Sequence, residues 1–151
     1  MNYKVYQIVF TKEERDLRRE LQAATKQRSC LTKDFFIDEI QLADNNMIRE
    51  DWVQKAFKLN LYTHAFNFTN IANMEEIFNL TTYDKYQSEL EAKGEILGEI
   101  CHRLQIGDVI EDENGNYFIV TAREFDTLYG AEDIQFVTLS SEPTTKYVLA
   151  S

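Results

Sequence analysis

The chain has 151 residues, 44% of them hydrophobic, with one proline and five glycines, which allows one sizeable core and excludes a low-complexity or linker-rich chain. It carries 16 basic and 26 acidic residues, a net charge of −10, which argues against nucleic-acid binding because phosphate attraction needs clustered Lys and Arg. Its uncharged apolar runs are far shorter than the roughly 18 residues that a membrane span needs. We therefore expect a single domain, residues 1–151, in the cytoplasm.

The N-terminal segment predicts a strand and then a helix. Polar and apolar residues alternate over 2–10, and both faces of the resulting strand are largely apolar, which is typical of a central strand. Thr11 and Glu14 have the spacing of a capping box that opens a helix ending near Gln27. The expected core face of this helix carries Leu17, Leu21 and Ala24.

Two more helices are predicted before residue 60. The first runs from about 32 to 43 and the second from about 48 to 59, each with apolar side chains at helical spacing. Trp52 lies on the apolar stripe of the second, so we interpret it as a core residue. Asn60 is expected to close that helix in a left-handed conformation.

The region from 61 to 105 predicts a strand followed by mainly helical structure. Residues 61–68 alternate as a strand does, and Asn73 with Glu76 resembles a second capping box. Residues 82–105 are acidic and are expected to be mainly helical, with glycines as breaks.

A hairpin is the strongest local signal in the sequence and is expected over residues 104–122. Residues 104–110 and 117–120 are apolar runs, and Asn114-Gly115 stands between them at a turn that requires positive φ. Two further strands are expected at 134–139 and 146–149. Together these elements predict an α+β fold, with several helices packed on a small, mainly antiparallel sheet.

Motifs of known catalytic sites are missing from the sequence. It contains no GxGxxG, Walker loop, HExxH, GxSxG or Cys/His metal spacing. An enzyme would need a pocket where His64, His102, Cys101, Tyr62 and a carboxylate converge, which the sequence alone does not exclude. We expect a protein that is not an enzyme and that needs no cofactor or metal.

The charge is distributed unevenly along the chain. Residues 1–30 carry seven basic and four acidic groups, residues 31–60 carry four and six, and residues 61–151 carry five and sixteen. The basic, helical half at 1–60 is therefore followed by an acidic part at 61–151. Carboxylates around the hairpin are the first candidates for contact with a partner: Asp108, Glu111, Asp112, Glu113, Glu124, Asp126, Glu132 and Asp133. Those of the predicted helix before it come second: Glu89, Glu91, Glu95 and Glu99.

Four segments carry a resemblance to a known group of proteins. They are MEEIFNL at 74–80, LQIGDVI at 104–110, NGNYFIV at 114–120 and FDTL at 125–128. This order resembles the YodL-like domains of small accessory proteins that bacteriophages and conjugative elements encode. The resemblance covers about the C-terminal third of the chain and implies a genomic setting rather than a mechanism.

The chain departs from that pattern at three positions. Leu104 and Ile106 stand where the family has two serines, and Glu124 stands where it has a glycine. These changes touch the strand start and a turn, so a contact that depends on the serines is not expected here.

Setting and charge together give the leading hypothesis. We expect a phage or mobile-element protein that inhibits a nucleic-acid-targeting defence complex of the bacterial host, as anti-CRISPR proteins do, with carboxylates standing in for phosphates. The expected partner is a protein or ribonucleoprotein with a basic surface. The competing hypothesis is a regulatory interaction module that binds through an apolar patch, either to another protein or to a second copy of itself.

Overall fold

A computed structural model describes residues 1–82, 84–97, 101–126, 131–140 and 142–143, and at 84, 123–126 and 131–134 it describes the backbone alone. Within these residues the chain forms five α-helices and one six-stranded antiparallel sheet, so the fold is α+β, as predicted. No helix in the described ranges is long and apolar enough to cross a membrane.

The first strand lies at the centre of the sheet. The strands are β1 Tyr3–Gln7, β2 Thr63–Phe68, β3 Gly94–Ile96, β4 Val109–Asp112, β5 Tyr117–Asp126 and β6 Ala131–Thr138. Their spatial order is β3-β2-β1-β4-β5-β6, and every neighbouring pair is antiparallel. Because β1 pairs with β2 and with the distant β4, the sheet is complete only when strands from the C-terminal half of the chain have joined it.

Helices cover both faces of this sheet. They are α1 Lys12–Thr25, α2 Thr32–Gln41, α3 Asn46–Lys58, α4 Met74–Thr82 and α5 Gln87–Lys93, with a short 3₁₀ helix at Asp84–Tyr86. Val5 of β1 packs in one core with Phe78 of α4, and Val109 of β4 packs in a second core with Ile40 of α2 and Phe57 of α3. The apolar character of both faces of β1 follows from this arrangement, because each face meets a different core.

Several local predictions are confirmed. The Glu14 amide donates to Thr11 Oγ1 at 3.1 Å and the Thr11 amide donates to Glu14 Oε1 at 3.0 Å, which completes the capping box. Asn60 has a φ of 57°, the left-handed conformation expected after α3. The strand expected at 134–139 is part of β6, whereas the one expected at 146–149 lies outside the described residues.

The predicted core face of α1 is wrong. No residue of α1 is buried, and Leu17 is 47% exposed. Polar contacts hold this helix instead: Arg18 Nε donates to Asp34 Oδ1 of α2 at 2.8 Å, and the ammonium of Lys33 lies 2.6 Å from Glu14 Oε1. Apolar spacing marks an amphipathic helix, but it does not say how deeply that helix packs.

The mainly helical structure expected at 82–105 is confirmed as far as Lys93, with its break at Gly94, but it is wrong beyond that residue in the described part of the range. Helix α5 ends at Lys93, and the chain then continues as the edge strand β3, where Gly94 lies opposite Phe68. Pairing with β2 supplies hydrogen bonds that outweigh the modest helix propensity of these residues. Similarly, β4 begins at Val109, so the first arm of the hairpin is shorter than the apolar run at 104–110 predicts.

Gly107 and Gly115 offer a matched test of packing at the start of the hairpin. Both have positive φ, 96° and 81°, but a Cβ on Gly107 would lie 2.5 Å from Ile40 Cγ2, whereas a Cβ on Gly115 meets nothing within 4 Å. We expect Gly107→Ala to lower the free energy of unfolding by about 1–3 kcal/mol more than Gly115→Ala, because only the first adds overpacking to backbone strain. Urea titration of both variants measures this, and equal losses would contradict the proposed contact with α2.

Candidate functional site

The predicted acidic surface is divided by the strand register. Glu111 lies opposite Tyr117, near the start of β5, while Asp126 at its other end lies opposite Ala131. The nine residue steps from Tyr117 to Asp126 span about 30 Å of strand. The carboxylates at the turn between β4 and β5 therefore lie at one end of the sheet, and those where β5 meets β6 lie at the other end. The second set is Glu124, Asp126, Glu132 and Asp133, for which the backbone alone is described.

At the turn end, the hairpin carboxylates are held in place. Glu111 Oε1 accepts a hydrogen bond from the Tyr6 hydroxyl at 2.8 Å. Asp112 Oδ1 accepts from two backbone amides of the turn, those of Asn114 and Asn116, each at 2.9 Å. Glu113 is exposed beside them. These hydrogen bonds fix the positions of the Glu111 and Asp112 carboxylates at the turn.

Two further carboxylates join this end from distant parts of the chain. Glu50 of α3 accepts hydrogen bonds from the amide and the hydroxyl of Ser140, at 2.7 and 3.0 Å. Glu142 lines a shallow polar groove with Tyr117 and Ser140. We call Glu50, Glu111, Asp112, Glu113 and Glu142 the acidic end. Neither Glu50 nor Glu142 was among the predicted contacts, because only the strand pairing brings them to the hairpin.

The acidic end affects a neighbouring tyrosine. Burial first, and then the charges of Glu111 and Glu142, raise the pKa of Tyr117 to about 12. A phenol becomes harder to ionise when its surroundings are already negative. Carboxylates from separate segments therefore act on the same small region.

The second predicted group of carboxylates forms a separate patch. Glu89, Glu91 and Glu95 are exposed on α5 and β3, whereas Glu99 lies outside the described residues. Three strand spacings, about 14 Å, separate β3 from β4. These side chains extend the negative surface but do not belong to the acidic end.

Asp108 does not lie on the acidic surface at all. It is only 5% exposed, and its Oδ2 accepts hydrogen bonds from the Gln105 amide at 2.8 Å and from Gln7 Nε2 at 3.0 Å. This burial removes Asp108 from the predicted surface contacts. It places the carboxyl group instead in the wall of a cavity.

The side-chain amide of Gln7 fixes the loop that leads to Asp108. Gln7 is fully buried; its Nε2 also donates to the His102 carbonyl at 2.8 Å, and its Oε1 accepts from the His102 amide at 3.2 Å. The side chain thus pairs with the backbone of His102 as a neighbouring strand would. This pairing positions the start of the loop at 102–108, while backbone hydrogen bonds of Gly107 and Asp108 with Val120 position its end.

The cavity lies between the β1–α1 connection, α2 and the loop at 102–108. It is half-enclosed, and its volume is about 170 Å³. Isoleucines form most of its apolar wall: Ile8, Ile37, Ile40 and Ile106. Arg15, Gln41, His102, Gln105 and Asp108 supply its polar groups. A small site with apolar walls and a few directed polar groups is the usual form of a ligand pocket.

Burial gives Asp108 an unusual titration. Desolvation raises the pKa of Asp108 to about 7, although the His102 imidazole and the hydrogen bonds from Gln105 and Gln7 oppose the rise. His102 Nδ1 lies 4.0 Å from Asp108 Oδ2. The carboxyl group therefore changes its charge near neutral pH inside the cavity.

The polar residues considered for a pocket are only partly brought together. His102 faces Asp108, and the Tyr62 hydroxyl donates to the Gly107 carbonyl at 2.6 Å, next to the cavity. His64 lies elsewhere, with its ring 5.1 Å from that of Tyr6, and Cys101 packs against the α4 core. Among the described residues, no cluster of three or more His, Cys, Asp or Glu side chains is placed to hold a metal ion.

Comparison of the chain with protein-family models, with curated proteins and with solved structures found no match.

Replacing Gln7 tests its role in holding the loop. We expect Gln7→Met to lower the free energy of unfolding by about 2–4 kcal/mol, because it leaves both backbone groups of His102 without their Gln7 partner and removes one of the two hydrogen bonds to Asp108. Gln22→Met removes one exposed bond to the Arg28 carbonyl and should cost less than about 1 kcal/mol. Denaturant unfolding compares the two, and similar losses would count against a special role for Gln7.

Stability should also report the titration of Asp108. The unfolded carboxyl ionises near its ordinary pKa of 3.8, whereas the folded one keeps its proton to about pH 7. Between these values the folded state binds more protons, so this group contributes less stability as pH rises. We expect Asp108→Asn to become progressively more stable relative to the wild type from pH 4 to 7, by at most roughly 4 kcal/mol. Unfolding curves measured across this range, with Glu113→Gln as the control, test the prediction; a difference that does not change with pH would refute it.

Proposed function

We propose that the chain is a binding protein that inhibits a basic, nucleic-acid-binding partner. Its carboxylates would occupy the positions at which this partner binds the phosphates of nucleic acid. The observation that carries this proposal is the acidic end, where carboxylates from α3, the β4–β5 turn and the segment after β6 lie together. Fixed charges on a folded surface can occupy a basic channel without paying the entropy of ordering a flexible tail.

The charge of the whole chain supports the same function. A net charge of −10 attracts a basic partner over a distance of several ångströms and speeds the encounter, and it repels nucleic acid itself. The acidic patch on α5 and β3 would extend the negative surface potential that attracts such a partner. Affinity should consequently fall as salt rises.

The biological setting of the proposal comes from the YodL-like pattern of the C-terminal third. Accessory proteins of phages and conjugative elements act inside bacteria that defend themselves with nucleic-acid-targeting complexes. We therefore propose a host defence complex, of the CRISPR kind or another, as the target.

Capture from a bacterial lysate tests the partner class. The immobilised chain should retain a nucleic-acid-binding complex that is released as salt rises and that double-stranded DNA displaces. A captured partner that is indifferent to both salt and DNA would overturn the proposal.

Charge changes at the acidic end provide the matched variant. Combining Glu111→Gln, Glu113→Lys and Glu142→Lys should weaken capture at least about tenfold, because contacts between fixed charges across an interface are lost. The combination Asp16→Asn, Glu13→Lys and Glu20→Lys changes the net charge by the same amount on exposed residues of α1. Capture measured for both at equal salt should fall only for the first. If both fall equally, net charge rather than the acidic end is responsible.

An apolar interaction module remains the second candidate, and one observation favours it. At the turn between α2 and α3, Leu42 is 79% exposed and Met47 is 74% exposed, with Ile48 also exposed beside them. A second copy of the chain is the occupant to test first. Self-association that persists at high salt, measured by sedimentation, would favour this candidate, because apolar contacts are not screened.

A further inference from the structure

Asp108 places a carboxyl group in the wall of the cavity. Both described hydrogen bonds of the Asp108 carboxyl group end on Oδ2, and among the described residues none reaches Oδ1. The residue is more than nine-tenths buried and lines the cavity. Oδ1 is therefore available to accept a hydrogen bond from a donor outside the chain, either solvent or a ligand in the cavity.

The remaining walls limit what that donor can be attached to. Four isoleucine side chains and Phe10 surround the space, whose volume of about 170 Å³ suits a compact aliphatic group rather than a ring system or a nucleotide. The strongest donor for a carboxylate in low dielectric is a cation. The net charge of −10 also raises the local concentration of cations.

We propose that this cavity binds a small primary amine with a branched aliphatic body, and that the ammonium group donates to Oδ1 of Asp108. The aliphatic body lies against the isoleucine wall. This site is distinct from the acidic end and does not depend on the inhibitory function proposed above.

The charges around Asp108 determine how binding depends on pH. The groups that face it are the His102 imidazole, the Gln7 and Gln105 donors and the Tyr62 hydroxyl next to Gly107. Arg15 is the other charged residue that lines the cavity. An ammonium group needs the ionised carboxylate, which in the free protein forms as pH rises through about 7. Binding should therefore release a proton below this pH.

The probe is 3-methylbutylamine, with 4-methylpentanoate as the counterpart that has a similar body and the opposite charge. We expect the amine to bind with a Kd on the order of 1 mM, given its few heavy atoms. It should shift the amide resonances of Gln105 and Gly107, while 4-methylpentanoate shifts neither. The affinity should rise about tenfold from pH 6 to pH 8, as the ionised fraction of a group with a pKa near 7 increases.

A variant and its control complete the test. Asp108→Asn should weaken amine binding at pH 8 at least about tenfold, because an amide cannot pair with a cation. Glu75→Gln removes the same charge from the exposed first turn of α4, outside both proposed sites, and should leave binding unchanged. If Asp108→Asn does not fold, the pH dependence of amine binding to the wild type tests the proposal instead. Affinity that falls with rising pH, equal binding of 4-methylpentanoate, or no shift at about 10 mM amine would overturn the proposal.

Discussion

The buried side-chain amide of Gln7 is the polar contact that joins the central strand to the loop leading into β4. It pairs with both backbone groups of His102 and donates to Asp108, and so it joins the end of the central strand to a loop about 95 residues further along the chain. A buried amide that is fully hydrogen-bonded stabilises one arrangement strongly, because every alternative leaves polar groups unpaired. The loop enters β4 directly, so these contacts lie next to the Tyr6–Val109 pair with which β4 begins its register against β1.

Environment gives carboxylates in this chain two different roles. At the acidic end, solvent and turn amides stabilise the charge of Asp112, whose pKa lies below its ordinary value because three hydrogen bonds from Asn114 and Asn116 outweigh its slight burial. Four residues earlier, burial raises the pKa of Asp108 to about 7. The sequence places both in one acidic run, yet only the first can serve a surface that attracts basic partners.

Local patterns predicted a large part of this fold. Alternation identified β1 and β2, the Thr11 and Glu14 spacing identified the start of α1, and the Asn114-Gly115 pair identified the hairpin turn. A strand was also expected over much of β6. These features depend on contacts within a few residues, which a sequence displays directly. The α+β class followed from their order along the chain.

Contacts between distant residues explain what the sequence did not predict. The edge strand β3 exists because β2 offers it a partner, and α1 stays at the surface because Arg18 and Lys33 make ion pairs with other segments. The cavity likewise needs three separate segments to meet, so His102 and Asp108 become neighbours of Ile40 only after folding. An acidic residue in sequence can be exposed or buried, and no spacing rule distinguishes the two.

The two proposed sites lie at opposite ends of the same short strand. β4 begins next to Asp108 at the cavity and ends with Asp112 at the acidic end, and its first two residues, Val109 and Ile110, are fully buried in the two cores. Packed cores switch between discrete arrangements rather than deforming continuously, and β4 is held in one arrangement by pairing with β1 and β5 on both sides. An amine at Asp108 would therefore reach the acidic end mainly through its charge. The acidic end is exposed and lies about a Debye length from the cavity at physiological salt, so the electrostatic effect of the bound amine on it is small. A basic partner and a small amine can thus bind the chain independently.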